Sequence, residues 1–414
     1  MPLTVQKFGG TSVANAEKIH RAARRAIRAH KAGHRVVIVV SAMGDTTDQL
    51  LALAHEVSSN PPKRELDVLL TTGEQVSIAL MAMAINDAGC EAISLTAGQL
   101  GLVTDSVHTR ARIRRIERQR LERELAAGKI VIIAGFQGID DSGEITTLGR
   151  GASDTTAAAL AAVLQADVCE IYTDVDGVYT ADPRLVPDAR KIDRISYDEM
   201  LELASAGAGV MHGRAIEFAM RFNVPMQVRS ALTDAPGTMI VAPTEGMEAV
   251  AVRGVSLRED LAVVRLTGVP NVPGLAATVF AALAEKNIIV DDIIQNLYQN
   301  AESAILGFVV SSEDAAIARE LADRLARDHE MGAVEFSEKV SKVSAVGVGM
   351  RSHSGVAATM FQALAREDIN ILAISTSEIV IGCVVPRQDG PRALAAVHAA
   401  FGLGDAVNEN AASI

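Results

Sequence analysis

The strongest constraint on the fold is an alternation of apolar, β-branched runs with helix-like stretches, which extends from the first residues to about Val241. Val36–Val40 forms one apolar run and Lys129–Ala134 another, and each ends at a small or polar residue. Such runs predict buried strands, and their alternation with helices is typical of an α/β sheet with helices on both faces. Ligands of these sheets bind beyond the carboxyl ends of the strands, where Ser41 and Gly135 follow.

Composition narrows the possible partners and locations. The 414 residues are 49% hydrophobic and carry a net charge of −12, which is globular composition and argues against a general nucleic-acid binder. The arginine-rich stretch Arg110–Arg123 is interleaved with glutamates, so we interpret it as a solvated helix face. No apolar run approaches the roughly 18 residues that span a bilayer, and the first residues do not resemble a secretory signal. We therefore expect a cytoplasmic protein with neither a nucleic acid nor a membrane as partner.

The second half of the chain contains an internal repeat. Pro273–Ile293 aligns without gaps on Ser354–Ile374, and ten of the 21 positions are identical. Each copy reads as strand, glycine-containing turn, amphipathic helix and strand. Two copies are too few for a solenoid, so we infer a pair of small domains that pack on each other. Turn residues between Pro236 and Glu248 indicate a boundary before the repeat.

The first motif of the chain is Lys7-Phe8-Gly9-Gly10-Thr11-Ser12. Adjacent glycines let backbone N–H groups approach a phosphate, and the lysine supplies positive charge. The lysine precedes the glycines, so the motif is not a Walker A loop. Two interpretations stay open at this point, a phosphate-binding turn and a strand-to-helix turn that only needs the flexibility of glycine.

A second motif, Gly149-Arg150-Gly151-Ala152-Ser153-Asp154, opens an alanine-rich helix. Its N–H groups and guanidinium can bind a carboxylate, with Asp154 as a nearby counter-charge. The alternative is plain helix capping by Ser153 or Asp154, and both can hold at once.

Three further stretches allow a functional or a structural interpretation. Ile171–Arg184 is a strand that breaks into an acidic loop, suited to a ribose and metal-bound phosphates or simply an Asp-Gly turn; its glycine comes too early for an EF-hand. Glu74 is expected in the first turn of an apolar helix, where the helix dipole alone explains it. Asp45–Asp48 is either an N-cap cluster or a substrate loop. The nine histidines show no ligand pair at helical spacing, and no G-x-S-x-G elbow is present.

In this order, the motifs resemble those of the aspartate kinases, a branch of the amino acid kinase family, followed by two ACT domains. The resemblance extends from Lys7 to about Leu403. Its carriers are Lys7–Ser12, Val39–Gly44 with Thr47, Gly73-Glu74, Gly149–Asp154, Tyr172–Tyr179, Asp182–Arg184 and Ile374–Glu378.

The resemblance implies a three-layer α/β/α kinase domain with a mainly parallel sheet at residues 1–243. Two ferredoxin-like ACT domains, which can interleave, are expected at 244–340 and 341–406, with a tail at 407–414. The implied reaction is phosphorylation of the β-carboxylate of L-aspartate by ATP, the entry to lysine, threonine and methionine synthesis. The enzyme is thus expected to be a phosphotransferase with a carboxyl acceptor, and Mg2+ is expected on the ATP phosphates rather than in a site built by the protein.

The resemblance also assigns roles to single residues. Lys7 with Gly9 and Gly10 is expected to hold the transferring phosphate, and Asp154 to orient Lys7. The nucleotide side is expected to include Thr11, Thr173, Asp174, Tyr179, Asp182 and Arg184. The aspartate pocket is expected to include Ser41, Thr47, Glu74, Arg150, Gly151 and Ser153, with Arg150 on a substrate carboxylate and Glu74 on the α-ammonium.

Some positions depart from the family pattern. Gly209 stands where family members usually carry a lysine on the nucleotide side, so ATP affinity or rate is expected to suffer. In the second half of the chain, Asn271 and Ile289 depart from the family pattern at the effector site, and Ser354 and Val380 depart from it elsewhere. Feedback by lysine or threonine is therefore expected to be altered or absent. The effector site itself is expected at Asn271, Pro273, Gly274, Gln295 and Asn296.

Alternative hypotheses and assemblies follow from the same features. A sibling amino acid kinase that acts on another carboxylate is one alternative, and Gly209 motivates a second, a weakly active amino-acid sensor. Because ACT pairs generally bind effectors between chains, the resemblance implies a homo-oligomer. A shorter ACT-only chain that starts near Met247 is a further expected partner.

Overall fold

The computed structural model describes residues 1–149, 151–244, 250–297 and 303–404. Arg150, Met247 and the tail 407–414 lie outside the described residues, so the expectations for them stay predictions. The described chain divides into two compact units. The first unit comprises Met1–Tyr179, Lys191–Ser205 and residues 209–244, and the second comprises Thr180–Arg190, Ala206–Ala208 and the described residues from 250 onward.

The first unit contains eight helices and twelve strands in its described residues. The helices are α1 (Ala16–Lys31), α2 (Thr46–Val57), α3 (Lys63–Asp87), α4 (Ala97–Leu100), α5 (Arg118–Ala126), α6 (Ala152–Leu164), α7 (Tyr197–Ser205) and α8 (Gly213–Phe222). The strands are β1 (Leu3–Phe8), β2 (Arg35–Val40), β3 (Ala92–Leu95), β4 (Leu102–Thr104), β5 (Ile113–Ile116), β6 (Ile130–Ala134), β7 (Gln137–Ile139), β8 (Ile145–Thr147), β9 (Val168–Thr173), β10 (Arg194–Ser196), β11 (Met226–Ser230) and β12 (Thr238–Val241).

The main sheet of the first unit has the order β10-β12-β11-β9-β1-β2-β6-β3. All of its pairs are parallel except β11 with β12. Both faces of its central strands are buried: Val36, Ile38 and Val40 pack with α1 and α3, while Val37 and Val39 are also fully buried. Helix α6 contacts β1 and β2 as well. The predicted three-layer α/β fold with a mainly parallel sheet is therefore confirmed.

Two expectations for local structure in this unit are wrong. The arginine-rich stretch is not one helix, because Ile113–Ile116 forms strand β5 and helix α5 begins only at Arg118. Strand β5 belongs to a separate four-stranded sheet of order β5-β4-β7-β8, and this pairing overrides the helical pattern of the sequence. Helix α3 begins at Lys63, so Glu74 lies in its middle rather than in its first turn.

Helix α3 is also the one helix in the described ranges that is long and apolar enough to cross a membrane. The mean hydropathy of its most apolar window is 1.6, but 56% of that window is buried inside the protein. Thr71, Glu74 and Ser77 interrupt the apolar sequence, and all three are buried. The helix contacts α1 and β6, and this interior position accounts for its composition.

The second unit is built on one six-stranded sheet of order β14-β15-β13-β16-β18-β17. Its strands are β13 (Gly254–Pro270), β14 (Val290–Leu297), β15 (Ser303–Ser311), β16 (Val334–Val346), β17 (Ala373–Thr376) and β18 (Val380–Pro386). Its helices are α9 (Leu275–Glu285), α10 (Ala315–Asp328), α11 (Val356–Arg366) and α12 (Gly390–Ala400). All of its strand pairs are antiparallel, as expected for ferredoxin-like domains.

The internal repeat corresponds to equivalent elements of the second unit. Gly274 precedes α9 with φ +94°, and Gly355 precedes α11 with φ +91°, so the matched glycines occupy the same left-handed position. One core packs around α9 and α10, and a second packs around α11 and α12. The long strands β13 and β16 pair with each other and supply residues to both cores, so the two copies share one sheet.

Candidate active site

Four parallel strands of the first unit end at one edge of the main sheet. Phe8 at the end of β1 pairs with Val40 of β2 on one side and with Tyr172 of β9 on the other. Val40 in turn pairs with Ala134, the last residue of β6. The motifs that follow these strands therefore meet at the carboxyl edge, where ligands of parallel sheets bind.

Lys7 and Asp154 form an ion pair at this edge. The Lys7 Nζ atom lies 2.6 Å from Asp154 Oδ1, and the side chains are only 12% and 8% exposed. Asp154 lies in the first turn of α6, whose N-cap is Gly151 with φ +71°. Capping by Ser153 or Asp154 is thus wrong, because the Asp154 carboxylate instead binds Lys7 and accepts the backbone N–H of His212 at 3.3 Å.

Gly10 of the first motif is required by close backbone contacts, whereas Gly9 is held by a backbone hydrogen bond. A Cβ on Gly10 would lie 2.8 Å from the carbonyl oxygen of Ala42, and the N–H of Gly44 donates to the Gly10 carbonyl at 3.0 Å. The N–H of Gly9 donates to the Tyr172 carbonyl at 3.3 Å, which ties the motif to β9. The 3-10 turn Gly10–Val13 follows. Thr11 in this turn is exposed, and its place on the nucleotide side stays a prediction.

Glu74 is a buried carboxylate with one occupied oxygen. Its residue is 2% exposed, and Oε1 accepts the N–H of Ala42 at 3.1 Å. Within the described part of the chain, Oε2 is buried without a hydrogen-bond partner. Burial raises the pKa of Glu74 to about 7, and the backbone hydrogen bonds only partly oppose this shift. An unsatisfied buried carboxylate of this kind can receive a cation.

The remaining predicted aspartate-pocket residues lie around the same edge where they are described. Ser41 follows β2 and its N–H donates to the Phe8 carbonyl at 3.1 Å, while Thr47 lies in the first turn of α2. Ser153 is buried in the first turn of α6, and a Cβ on Gly135 would lie 2.6 Å from its Oγ atom. Gly135 is therefore needed for the helix to approach β6 this closely.

The residues predicted for the nucleotide side belong partly to the first unit and partly to the second. Thr173 is the last residue of β9 and Asp174 follows it in the first unit, where the Thr173 hydroxyl donates to an exposed Asp174 carboxylate at 3.0 Å. Tyr179, also in the first unit, donates its hydroxyl to Asp176 at 2.8 Å. Asp182 and Arg184 belong to the second unit, where they form an ion pair of 2.6 Å.

Comparison with known proteins identifies the family. A model of the amino acid kinase family matches residues 2–230, which is more than half of the chain, and an ACT domain model matches residues 343–401. The chain belongs to the amino acid kinase family. Among curated relatives, it is 48% identical to an aspartokinase of Mycolicibacterium smegmatis over 98% of this chain and 97% of the relative. It is 49% identical to aspartokinase 2 of Bacillus subtilis over 97% of this chain and 98% of the relative.

Solved structures of amino acid kinases give the same assignment. The chain is similar to Escherichia coli aspartokinase III in complex with aspartate and ADP in the R-state, with a TM-score of 0.82, 27% identity and coverage of 96% of this chain and 99% of that one. The T-state of the same enzyme, in complex with lysine and aspartate, gives a TM-score of 0.76 with 27% identity and the same coverage. The fold and the family inferred from the sequence motifs are therefore confirmed.

Sequence reasoning missed residues that bind or pack against the backbone around residue 150 of this amino acid kinase site. Asp67 of α3 and Arg214 of α8 both bind backbone or side-chain groups just before residue 150. The ring of His212 packs on Gly151, where a Cβ would lie 2.7 Å from its Cδ2 atom, and burial lowers the pKa of His212. The one signal for Asp67 was a carboxylate seven residues, or two helical turns, before Glu74.

The predicted effector residues lie at exposed positions of the second unit. Asn271, Pro273 and Gly274 are in the turn before α9, and Gln295 and Asn296 are on β14, an edge strand of the six-stranded sheet. Their role stays a prediction.

Proposed function

We propose that this chain is an aspartokinase, which transfers the γ-phosphoryl group of ATP to the β-carboxylate of L-aspartate. The observation that carries this proposal is the unsatisfied oxygen of Glu74, buried beside a phosphate-binding turn. Ala42 links the two sites, since its N–H binds Glu74 while its carbonyl lies against Gly10. A receptor for an ammonium group next to a phosphoryl site suits an amino acid as phosphoryl acceptor.

The aspartate side requires binding and orientation rather than proton transfer. The α-ammonium of aspartate pairs with Glu74 Oε2, while Ser41, Thr47, Gly151, Ser153 and Arg150 are proposed to surround the rest of the molecule. The β-carboxylate is already ionised at neutral pH and serves directly as the nucleophile. Its oxygen forms a new bond to the γ-phosphorus as the bond to ADP breaks, and the product is 4-phospho-L-aspartate.

Lys7 supplies the main positive charge from this chain at the transferring group. Its ammonium is held by Asp154 at 2.6 Å, so it is already oriented before the substrates bind. Phosphoryl transfer depends mostly on positioning and on stabilising the charge of the phosphoryl oxygens. The N–H groups of the turn from Gly9 to Thr11 are proposed to add to this stabilisation.

ATP is proposed to bind along Thr173, Asp174 and Tyr179, and Asp182 and Arg184 stay predicted contacts. Mg2+ bound to the ATP phosphates would neutralise part of their charge and leave most of its ligand positions to phosphate and water. The exposed carboxylate of Asp174, a hard oxygen ligand, fits contact with such an ion. The relative solved with aspartate and ADP supports the choice of both substrates.

We further propose regulation by an amino acid at the second unit. Lysine is present with aspartate in the T-state structure of E. coli aspartokinase III, which makes it the first effector to test. The enzyme would act in the cytoplasm as a homo-oligomer, at the entry to lysine, threonine and methionine synthesis. Threonine and a shorter ACT-only chain are a further effector and a further partner to test.

The direct test measures the acyl phosphate. The purified chain is incubated with ATP, Mg2+, aspartate and hydroxylamine, and aspartyl hydroxamate is expected to form in proportion to enzyme and ATP. Glutamate, N-acetylglutamate and a reaction without acceptor serve as controls. Hydroxamate formation from glutamate or N-acetylglutamate but not from aspartate would identify a sibling kinase, and background levels with every acceptor would exclude the proposed activity.

A further inference from the structure

Helix α3 carries two buried carboxylates on one face, and they are bonded very differently. Asp67 lies seven residues before Glu74, two helical turns away on the same face, and its residue is 0% exposed. Glu74 keeps an unsatisfied oxygen, whereas both oxygens of Asp67 are occupied. A saturated buried carboxylate orders its partners instead of receiving a substrate.

The partners of Asp67 come from two chain segments of the first unit. The N–H of Thr109 donates to both carboxylate oxygens at 3.1 Å, and Nδ1 of His108 lies 2.8 Å from Oδ2. The Thr147 hydroxyl donates to Oδ1 at 2.6 Å. Asp67 therefore connects the loop between β4 and β5 to the last residue of β8.

The loop that Asp67 holds also contacts Gly149. Thr109 has φ +70°, an uncommon value for a non-glycine residue, and its N–H donates to Asp67. Its carbonyl oxygen lies 3.4 Å from the position that a Cβ on Gly149 would take, and Gly149 itself has φ +90°. Thr109 therefore packs against Gly149, the residue just before position 150.

Arg214 of α8 holds the same segments by their backbone. Its NH1 atom donates to the Leu148 carbonyl at 2.7 Å, and its NH2 atom donates to the Ala111 carbonyl at 3.2 Å. Burial lowers the pKa of the Arg214 guanidinium, and neighbouring Arg112 adds to this shift. Two charged side chains from different helices therefore bind segment 147–149, one at its first residue and one at its second.

We propose that Asp67 and Arg214 are positioning residues, which fix segment 147–149 so that the aspartate-binding residues just after it are presented in one geometry. This inference rests on the proposed function, since it assigns a role in aspartate binding. Neither side chain needs to touch a substrate. The predicted effect is specific to aspartate, because segment 147–149 leads into the aspartate-binding motif and not into the nucleotide loop.

The test compares the KM values for aspartate and ATP in an Asp67→Asn variant. Asparagine has the same shape, but its NH2 group at either oxygen position faces the donating N–H of Thr109. We expect the KM for aspartate to rise about tenfold, as for the loss of a charge-assisted hydrogen bond, while the KM for ATP stays within about twofold. Thermal unfolding measured in parallel reports any general loss of stability.

A matched control is Glu199→Gln. Glu199 is likewise 0% exposed, and its Oε2 accepts the N–H and the hydroxyl of Ser196 at 3.1 and 3.0 Å, at the start of α7. The Glu199→Gln variant should have a lower melting temperature, and its KM values for aspartate and ATP should not change relative to each other. If Asp67→Asn does not fold, Thr147→Val and Arg214→Lys remove single bonds of the same system, and each should raise the aspartate KM about threefold.

Two results would overturn the positioning role: an unchanged aspartate KM in the folded variants, or KM values for aspartate and ATP that rise together. Failure of the proposed function appears elsewhere, as a wild-type chain that forms no hydroxamate from aspartate. In that case the affinity for aspartate, measured by calorimetry in the wild type and in Asp67→Asn, still tests the positioning role.

Discussion

The segment that precedes the proposed aspartate-binding motif and the loop proposed to contact the nucleotide are held by different parts of the molecule. Segment 147–149 is bound by Asp67 and Arg214, and all of these residues belong to the first unit. The loop Thr180–Arg190, which contains Asp182 and Arg184, belongs to the second unit.

The contacts of the loop Thr180–Arg190 are those of a core segment. The Thr180 hydroxyl lies 2.9 Å from Nε2 of His398, and the Thr180 carbonyl accepts the N–H of Val255 at 2.7 Å. Nε of Arg190 donates to the Leu403 carbonyl at 3.0 Å. The loop residues Ala181 and Val186 are buried in the same apolar core as α11 and α12.

This difference suggests how an effector can act on one substrate more than on the other. Repacking of the second unit would move the ends of the loop Thr180–Arg190 directly, since those ends are bonded within that unit. Segment 147–149 has no such bonds among the described contacts. We therefore expect changes in the second unit to alter the affinity for ATP more than the affinity for aspartate.

The largest expected effect is on turnover, which depends on both the aspartate side and the nucleotide side. Lys7→Ala removes the ammonium held by Asp154 and should lower kcat about 100- to 1,000-fold, as the loss of a key electrostatic contact to the transition state does. The hydroxamate assay measures this loss. Lys129→Ala, which removes one of the cations paired with Glu124 and leaves the Arg123 ion pair in place, is the control and should stay near wild type. A Lys7→Ala variant with substantial turnover would mean that the phosphate lies elsewhere.

The next effect belongs to the aspartate side alone. Glu74→Gln removes the charge proposed to pair with the α-ammonium and should raise the KM for aspartate about 10- to 100-fold, with little change in the KM for ATP. In the wild type, the pKa of about 7 means that aspartate affinity improves as pH rises through 7, because the carboxyl loses its proton. The variant should show no such dependence. Matching pH profiles for the two proteins would contradict this role.

The raised pKa of Glu74 also predicts the pH dependence of stability. The pKa is about 7 in the folded protein against an ordinary glutamate pKa of 4.5, so folding disfavours ionisation of this carboxyl. The protein without aspartate should be most stable with respect to this group below pH 4.5 and should lose about 3 kcal/mol as pH rises through 7. Urea unfolding of Glu74→Gln should lack this loss at pH 8, whereas an identical loss would assign it to another group.

Gly209→Lys tests the nucleotide side alone. Gly209 is exposed, and a Cβ at this position meets no atom within 4 Å among the described residues, so the side chain can be added without a clash. A restored charge should lower the KM for ATP by up to about tenfold. Gly209→Ala is the control, since it adds the Cβ without the charge. A weakly active wild type that Gly209→Lys activates sharply would favour the amino-acid sensor, whereas a fully active wild type that the change leaves unaffected would exclude it.

The smallest effect tests the second unit directly. Thr180→Val removes the hydroxyl that contacts His398 and should raise the KM for ATP about threefold, with the aspartate KM unchanged. Thr147→Val is the matching change on the aspartate side, and it should raise the KM for aspartate while the KM for ATP stays unchanged. If both variants changed the same KM, the two segments would not be held independently.

The parts of the fold that local pattern determines were predictable. Two strands were predicted from their composition, Val36–Val40 and the run that ends at Ala134. A short continuous run of β-branched residues is typical of a parallel strand that is buried on both faces. The glycines at 274 and 355 marked the two turns because only glycine adopts positive φ without strain.

The features that were wrong or missed depend on long-range contacts. Gly73 lies inside α3, and a long-range contact explains why a glycine stands there, since a Cβ would come within 2.8 Å of the Ala42 side chain. The role of Asp67 depends on Thr147, eighty positions away, and that of Thr180 on His398, which is 218 positions away. Sequence periodicity carries no information about such pairs.

The assignment of Thr180–Arg190 to the second unit has a consequence for dissecting the protein. A fragment that ends at residue 244 would keep these eleven residues but lose the partners of Ala181 and Val186. Those side chains would then be presented to solvent, and the fragment should aggregate or be cleaved by proteases between Tyr179 and Lys191. The order of domains along the polypeptide is therefore a poor guide to where this enzyme can be cut.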